Sequence, residues 1–240
     1  MESFGCPHCE SKFYQLPDLH KHHMDFHRPV CPDHDKCRVG FIHVTKTGGV
    51  DLKSKNSIYP QVCIGYKLER HNKTAGCYTG RGLPCFGIMR EPIDRFISAY
   101  CFIKYGSDEQ RPLIKNGSQL DINSFIINLK DKMKTNKDFL KENNLLTGQM
   151  RWFKDGDPDN TYILKYNKTS NNETIKQFLK DVFDMDMVYD PDAPRKNVSG
   201  REECIINDEN LAFLQEYYRQ DIEVFNRLTP TYTKLRDVLN

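Results

Sequence analysis

The chain of 240 residues carries a formal net charge of +2, with 38% hydrophobic and 28% charged residues. This length is typical of one large domain, or of a medium domain with a small module, and the apolar fraction is sufficient for a buried core. Because the net charge is near zero, the composition disfavours a protein that binds nucleic acid through its overall charge, and any anion-binding site must be local.

Two features of the sequence bear on the cellular compartment. The N-terminus lacks the apolar core of a signal peptide, and no run of about 18 apolar residues could span a bilayer. The nine cysteines are odd in number and unevenly spread, which is not typical of a secreted disulfide framework. We therefore expect a cytoplasmic protein without a membrane span.

Residues 1–29 contain two pairs of potential zinc ligands. Cys6-x-x-Cys9 is followed, after twelve residues, by His22-x4-His27, with His23 as an alternative to His22 at shorter spacing. Two such pairs supply the four corners of a tetrahedral Zn²⁺ site. The segment resembles a Cys2His2 zinc finger, a small ββα module whose folding depends on its metal. We therefore expect zinc at Cys6, Cys9, His22 and His27.

The sequence also bears on what this finger contacts and on where it ends. A single finger reads about three base pairs, which is too few for useful specificity. A finger that contacts protein is therefore favoured over one that contacts nucleic acid. Cys31 and Cys37 follow without an evident fourth ligand, so residues 30–38 are interpreted as a linker rather than a second metal site. The main domain is expected over residues 39–240.

The main domain begins with a pattern that gathers backbone N–H groups around a phosphate. The apolar run Val39–Val44 predicts a buried strand, Thr-Lys-Thr-Gly-Gly follows at 45–49, and a helical stretch begins near Val50. Glycines allow close approach, a helix N-terminus adds partial positive charge, and Lys46 adds a full charge. The spacing of a nucleoside-triphosphatase P-loop is missing, which disfavours a nucleotide kinase.

A second strand–helix junction follows. Pro84–Met89 is strand-like and leads into Arg90, and Pro92 suits the first turn of a helix. Apolar residues then recur at helical spacing, at Ile93, Phe96, Ile97, Tyr100 and Ile103. Similar patterns predict a helix over Ile122–Met133, a strand over Thr161–Tyr166, a helix containing Ile175–Val182 and one final amphipathic helix from Leu211 to Phe225.

The segments at 43–49 and 89–100 together resemble the two nucleotide-binding signatures of sulfotransferases that use 3′-phosphoadenosine 5′-phosphosulfate (PAPS). The match is closest to the carbohydrate (Golgi-type) branch. Similar segments continue in order through Asn144–Gln149, the basic loop Arg195–Ser199, and the Tyr-x-x-Asp pattern at Tyr218 and Asp221. The resemblance implies an α/β fold with a P-loop-like parallel sheet flanked by helices.

The resemblance also implies roles at the two junctions. Lys46 and the amides after it would hold the 5′-phosphosulfate, and Arg90 and Ser98 would hold the 3′-phosphate. Lys196 would close the nucleotide site from the C-terminal side. The residues expected at the nucleotide are Lys46, Thr47, Gly48, Gly49, Val50, Arg90, Ser98 and Lys196.

One position departs from the family pattern. Sulfotransferases usually have Thr or Ser directly after the two glycines, where the hydroxyl helps to bind phosphate, and this chain has Val50 there. Thr47 or the adjoining amides are the candidates to compensate. Lys165 is a further candidate for the nucleotide site, with an exposed surface position as the alternative.

The acceptor hydroxyl requires a general base. Family members place a catalytic His or Glu after the second strand, here Val62–Tyr66, and His71 is the only histidine beyond His43. A near-neutral imidazole suits this role, so His71 is favoured, with Glu69 as the alternative. Lys46 would stabilise the charge that develops on the leaving phosphate. The chemistry needs no metal, so zinc belongs to the finger alone.

The sequence thus predicts an enzyme that transfers a sulfuryl group to a hydroxyl acceptor, with a glycan favoured. Because a finger stands where this branch normally has a secretory-pathway anchor, we expect a cytosolic acceptor or an origin in a large DNA virus. The alternative function is a finger-based binding protein with an inactive sulfotransferase-like domain. Val50 favours this alternative, whereas Lys46, Arg90 and Ser98 together oppose it.

Overall fold

The computed structural model describes residues 37–47, 73–105, 120–167, 171–186 and 204–239, together with strands at 4–5, 12–13 and 62–64. Near the N-terminus, strands β1 (Phe4–Gly5) and β2 (Lys12–Phe13) pair in antiparallel fashion. A ββα finger requires such a hairpin, and Cys6 and Cys9 fall between its strands in the sequence. All four expected zinc ligands lie outside the described residues, so zinc binding stays a prediction.

A five-stranded, mainly parallel sheet organises the main domain. Its strands are β3 (Val39–Ile42), β4 (Val62–Ile64), β5 (Cys85–Met89), β6 (Thr161–Lys165) and β7 (Thr233–Lys234). They lie in the order β4-β3-β5-β6-β7, and only β7 is antiparallel to its neighbour. The predicted α/β class with a mainly parallel sheet is confirmed.

The described helices surround this sheet, and none of them is long and apolar enough to cross a membrane. They are α1 (Gly76–Thr79), α2 (Pro92–Tyr105), α3 (Ile122–Thr135), α4 (Phe139–Glu142), α5 (Asn171–Phe183), α6 (Asp208–Tyr217), α7 (Arg219–Arg227) and α8 (Arg236–Leu239), with a 3₁₀ turn at Gln149–Trp152.

One face of the sheet packs against α5. Phe41 and Phe86 are register partners on β3 and β5, and their ring centroids lie 5.2 Å apart. Phe178 of α5 packs 5.1 Å from Phe86 and 5.3 Å from Tyr162 of β6. Since alternate side chains of a strand point to the same face, these rings form one continuous apolar layer.

Two glycines allow aromatic rings to lie against the opposite face. A Cβ at Gly40 would lie 2.2 Å from Cδ1 of Tyr78, and one at Gly87 would lie 2.8 Å from Cε1 of Phe153. Tyr78 also donates its hydroxyl to the Phe41 carbonyl at 2.9 Å. The glycines therefore determine how closely these rings approach β3 and β5, the strands that lead into the two predicted junctions.

Helix α2 forms a further apolar cluster with neighbouring helices. Its Phe96 and Tyr100 pack 6.1 Å and 5.3 Å from Phe125 of α3. Asp121 caps the N-terminus of α3, and its side chain accepts hydrogen bonds from the backbone N–H groups of Asn123 and Ser124. The helices predicted over 92–103 and 122–133 are thus confirmed, and α2 packs against α3.

The C-terminal region differs from the prediction. The single amphipathic helix expected from Leu211 to Phe225 is wrong, because α6 ends at Tyr217 and α7 begins at Arg219. Tyr218 lies between them with φ −96° and ψ 16°, and its buried hydroxyl donates to the Leu146 carbonyl. The apolar spacing continues across the break, so the pattern alone does not show it. Strand β7 was also not predicted.

Candidate anion-binding site

Three loops meet at the carboxyl edge of the parallel strands. Strands β3, β5 and β6 are adjacent and parallel, so the segments that follow Ile42, Met89 and Lys165 leave the same edge. In open α/β sheets, ligands bind outside this edge. The two segments that the sequence analysis singled out are therefore neighbours in space.

Lys46 lies in the loop after β3 with an unusual backbone conformation. Its φ of 64° is in the left-handed region, which is uncommon for a residue with a Cβ and costs of order 1 kcal/mol or more. Its carbonyl accepts a hydrogen bond from Nη1 of Arg90 at 3.2 Å. Its Nζ stands 4.3 Å from the centroid of the Phe102 ring, a cation–π geometry. The backbone of Lys46 is thus held by Arg90, two residues before α2, and its amine by Phe102 of α2.

Arg90 follows β5 and is 5% exposed. Its Nε donates to Oδ2 of Asp94 at 2.5 Å, one helical turn into the next segment. Its guanidinium carbon lies 5.1 Å from the ring centroid of Tyr166, which follows β6. The guanidinium is therefore held between the carboxylate of α2, the aromatic ring and the Lys46 carbonyl.

Ser98 lies on α2 four residues after Asp94, which binds Arg90, and four residues before Phe102, whose ring the Lys46 amine contacts. Asp94, Ser98 and Phe102 are spaced four residues apart, so they form one ridge of the helix. Arg90 binds the Asp94 end of this ridge, and the Lys46 amine contacts the Phe102 end. The described members of the predicted site therefore converge on one stretch of α2, with Ser98 6% exposed at its centre.

Arg95 is fully buried beneath the site. Its Nη1 donates to the Thr45 hydroxyl and to the Leu145 carbonyl, each at 3.2 Å, and its Nη2 donates to the Thr147 carbonyl. The Thr45 hydroxyl in turn donates to the Asn144 carbonyl at 2.5 Å. Arg95 thus ties the residue before Lys46 to the 144–147 segment.

The Tyr-x-x-Asp pattern of the C-terminal helices supports that same segment. Asp221 of α7 accepts hydrogen bonds from the backbone N–H groups of Gln149 and Met150 at the start of the 3₁₀ turn. Burial raises the pKa of the Asp221 carboxyl, while those two N–H groups and Arg95 act in the opposite direction. Tyr218 and Asp221 are therefore structural contacts of the 146–150 segment.

The expected site residues fall into two groups. Lys46, Thr47, Arg90 and Ser98 are described; Arg90 donates to the Lys46 carbonyl, and both residues contact the helix that carries Ser98. The Thr47 hydroxyl donates to the Val44 carbonyl at 2.9 Å, so its hydrogen is directed into the loop instead of replacing the hydroxyl missing at position 50. The remaining expected residues lie outside the described residues: Gly48, Gly49, Val50, Glu69, His71, Lys196, Cys6, Cys9, His22 and His27.

Two further sequence expectations can be compared with contacts. Lys165 ends β6 opposite Met89, beside Arg90, and its Nζ lies 4.5 Å from the Phe225 ring centroid. Cys37 is disulfide-bonded, a bond that the interpretation of a plain linker did not include. Within the described part of the chain, no group of three His, Cys, Asp or Glu side chains could hold a metal ion.

Sequence reasoning missed several residues that build this edge. Asp94 and Phe102 could have been found from their four-residue spacing to Arg90 and Ser98. Gln149 and Tyr166 end segments that the sequence analysis named, but their contacts with Arg90 could not be predicted, because these residues lie 59 and 76 positions from Arg90 in the chain. Comparison of the chain with protein-family models, with curated proteins and with solved structures finds no match.

Proposed function

We propose that this chain is a sulfotransferase that moves a sulfuryl group from PAPS to a hydroxyl acceptor, with a carbohydrate favoured. The observation that supports it best is the placement of Lys46, Arg90 and Ser98 around one stretch of α2. Lys46 belongs to the first of the two segments that resemble the sulfotransferase signatures, and Arg90 and Ser98 belong to the second. Their meeting at the carboxyl edge of the sheet is what a shared nucleotide site requires.

The proposed reaction needs little from the protein besides positioning and charge. The acceptor oxygen forms a bond to sulfur while the bond between sulfur and the bridging phosphate oxygen breaks, so 3′-phosphoadenosine 5′-phosphate leaves. Negative charge develops on that bridging oxygen, and the Lys46 ammonium would stabilise it more in the transition state than in the ground state. The acceptor proton passes to a general base, for which His71 is proposed and Glu69 is the alternative.

The second anion of the donor distinguishes it from an ordinary adenylate. Arg90 offers a planar fork that matches a phosphate dianion, and its bond to Asp94 fixes the direction of the fork. Ser98 adds a hydroxyl on the same helix ridge. We propose that these two side chains bind the 3′-phosphate, with Lys196 and Lys165 closing the site.

The first experiment is a calorimetric titration of the full chain with 3′-phosphoadenosine 5′-phosphate and, separately, with adenosine 5′-phosphate. Lys46→Ala and Arg90→Ala should each weaken binding of the bisphosphate about tenfold or more, since hydrogen bonds to charged groups contribute about 1.5–3 kcal/mol. Lys141→Ala is the matched control, because this lysine of α4 is 69% exposed and pairs with Asp138, the residue before that helix. Absence of binding at millimolar nucleotide would overturn the proposed function.

An active enzyme must also transfer the group. Incubation with ³⁵S-labelled donor and a panel of hydroxyl acceptors separates a working sulfotransferase from the alternative, a binding protein with an inactive domain. Nucleotide binding without transfer to any acceptor, in a chain whose Val50→Thr variant does transfer, would favour the inactive domain. We propose the cytoplasm, including that of a virus-infected cell, as the compartment.

We also propose that the N-terminal segment binds one zinc ion through Cys6, Cys9, His22 and His27. The support is the ligand spacing together with the pairing of β1 and β2. Elemental analysis of the purified chain should give about one zinc per chain, and Cys9→Ser should reduce it. Retention of full zinc by that variant would refute the ligand set. A protein-contacting role is proposed for the finger ahead of a nucleic-acid role.

A further inference from the structure

The backbone of Arg90 is held by a single side chain. The last contact between β5 and β6 is the bond from the Tyr166 N–H to the Met89 carbonyl at 2.8 Å. Beyond it, the Arg90 N–H donates to Oε1 of Gln149 at 3.0 Å, and Nε2 of Gln149 donates to the Arg90 carbonyl at 2.7 Å. The Gln149 amide therefore satisfies both backbone groups of Arg90, as a neighbouring strand would.

Gln149 is itself fully buried and firmly held. Its own N–H donates to Asp221, as does that of Met150. The Tyr218 hydroxyl binds the Leu146 carbonyl, and Arg95 binds two more carbonyls of the same segment. A side chain supported in this way can transmit its position to the residue that it binds.

The consequence concerns where the Arg90 guanidinium points. Arg90 is the first residue after β5, so its Cα position and its φ and ψ depend on the Gln149 amide rather than on a sheet partner. Its side chain then reaches Asp94 and the Lys46 carbonyl, the contacts that place it at the proposed nucleotide site. A shift of the backbone at this residue would move the guanidinium relative to both.

We propose that Gln149 is a positioning residue that sets Arg90 for recognition of the 3′-phosphate, and so controls the preference for a nucleotide that carries this group. The inference rests on the proposed function. Gln149 does not touch the nucleotide in this account; it acts through Arg90. Loss of the amide is expected to weaken the interaction with the 3′-phosphate while the contacts near Lys46 are retained.

The test compares two ligands in each variant. For Gln149→Met, affinity for 3′-phosphoadenosine 5′-phosphate should fall about tenfold, the equivalent of a charged hydrogen bond lost from the phosphate. Affinity for adenosine 5′-phosphate should stay within about twofold, because that ligand lacks the group that Arg90 reads. Gln149→Glu keeps an acceptor for the Arg90 N–H but loses the donor to the Arg90 carbonyl. The ratio of the affinity for the bisphosphate to the affinity for adenosine 5′-phosphate should therefore fall in this variant too. Gln149→Glu carries the test if Gln149→Met does not fold.

A matched control separates positioning from general loosening. Leu179→Ala opens a cavity on the opposite face of the sheet, where Leu179 is 1% exposed, and should lower the melting temperature without changing the ratio of the two affinities. If the wild-type chain prefers the bisphosphate and Gln149→Met has the same ratio of affinities, this inference is overturned and the proposed function is left intact. The same fall in ratio for Leu179→Ala also overturns it. A wild-type chain that binds neither nucleotide overturns both.

Discussion

Replacement of Gly40 by alanine tests how β3 is placed beneath the candidate site. Gly40 is central in β3, six residues before Lys46, and the fully buried Tyr78 ring lies against it. An added Cβ would lie 2.2, 2.5 and 2.7 Å from Cδ1, Cγ and Cε1 of Tyr78. Carbon atoms pack best at about 3.5–4.0 Å, so the ring would have to move by roughly 1 Å or more.

The expected loss of stability has two parts. Overpacking of a well-packed core costs about 1–3 kcal/mol. Movement of the ring also breaks the bond from the Tyr78 hydroxyl to the Phe41 carbonyl, which contributes about 1 kcal/mol. We therefore expect Gly40→Ala to lower the free energy of unfolding by about 2–4 kcal/mol, a large part of the total for a domain of this size.

Urea denaturation followed by circular dichroism measures this loss. Gly82→Ala is the control, because a Cβ at Gly82 meets nothing within 4 Å and only its φ of +72° opposes the change, for a cost of about 1–2 kcal/mol. In a Tyr78→Leu background, Gly40→Ala should cost clearly less than it does alone. An equal cost in both backgrounds would refute the clash with the ring.

Three further predictions follow from the buried groups around the site. Arg95→Met should lower the free energy of unfolding by about 3–5 kcal/mol in urea denaturation, because it leaves the Thr45 hydroxyl and the carbonyls of Leu145 and Thr147 without their donor. A loss below about 1 kcal/mol would contradict these hydrogen bonds of Arg95. Burial raises the pKa of Asp221, so the folded state binds this proton more tightly than the unfolded state. The free energy of unfolding, relative to Asp221→Asn, should therefore rise as pH falls from the pKa of Asp221 in the folded state toward the ordinary carboxyl value of about 3.9. A difference between the two proteins that does not change with pH would argue against a raised pKa of Asp221 in the folded state. Burial also raises the pKa of the Cys85 thiol to about 12, so iodoacetamide at pH 8 should alkylate the half-buried Cys77 well before Cys85 in a mass-spectrometric time course, and equal rates would contradict the described burial.

Several elements could be predicted from local patterns because their signals are local. The β-branched and aromatic runs that became β3, β5 and β6 are short apolar stretches bounded by glycine, proline or charged residues. Pro92 opens α2 in the first turn as expected. Lys46, Arg90 and Ser98 were singled out by the resemblance of their two segments to the sulfotransferase signatures, and each stands just after a strand or on the helix that follows one. Parallel strands bring such positions to the same edge, so their proximity follows from topology.

Other features depend on contacts between distant segments. The sequence keeps helical apolar spacing through Tyr218, so it does not show the break between α6 and α7. At this break the Tyr218 hydroxyl donates to the carbonyl of Leu146, 72 residues away, a contact that a local pattern does not show. Strand β7 has two residues, too few for a periodic pattern, and is defined only by pairing with β6. The sequence does not indicate that Arg95 is buried, because an arginine in the first turns of a helix is ordinarily exposed.

By itself, the sequence determined the local elements, the two junctions and the residue types that suit an anion, because strand and helix periodicity and turn residues act over a few positions. The class of fold was predicted from the resemblance of those segments to the sulfotransferase signatures. Only the tertiary structure decided how those residues are held. The Gln149 amide at Arg90, the ridge of Asp94, Ser98 and Phe102, and the burial of Arg95 all require segments to meet across the fold. Hydrogen bonds and packing of that kind depend on three-dimensional distance, which the order of residues does not specify.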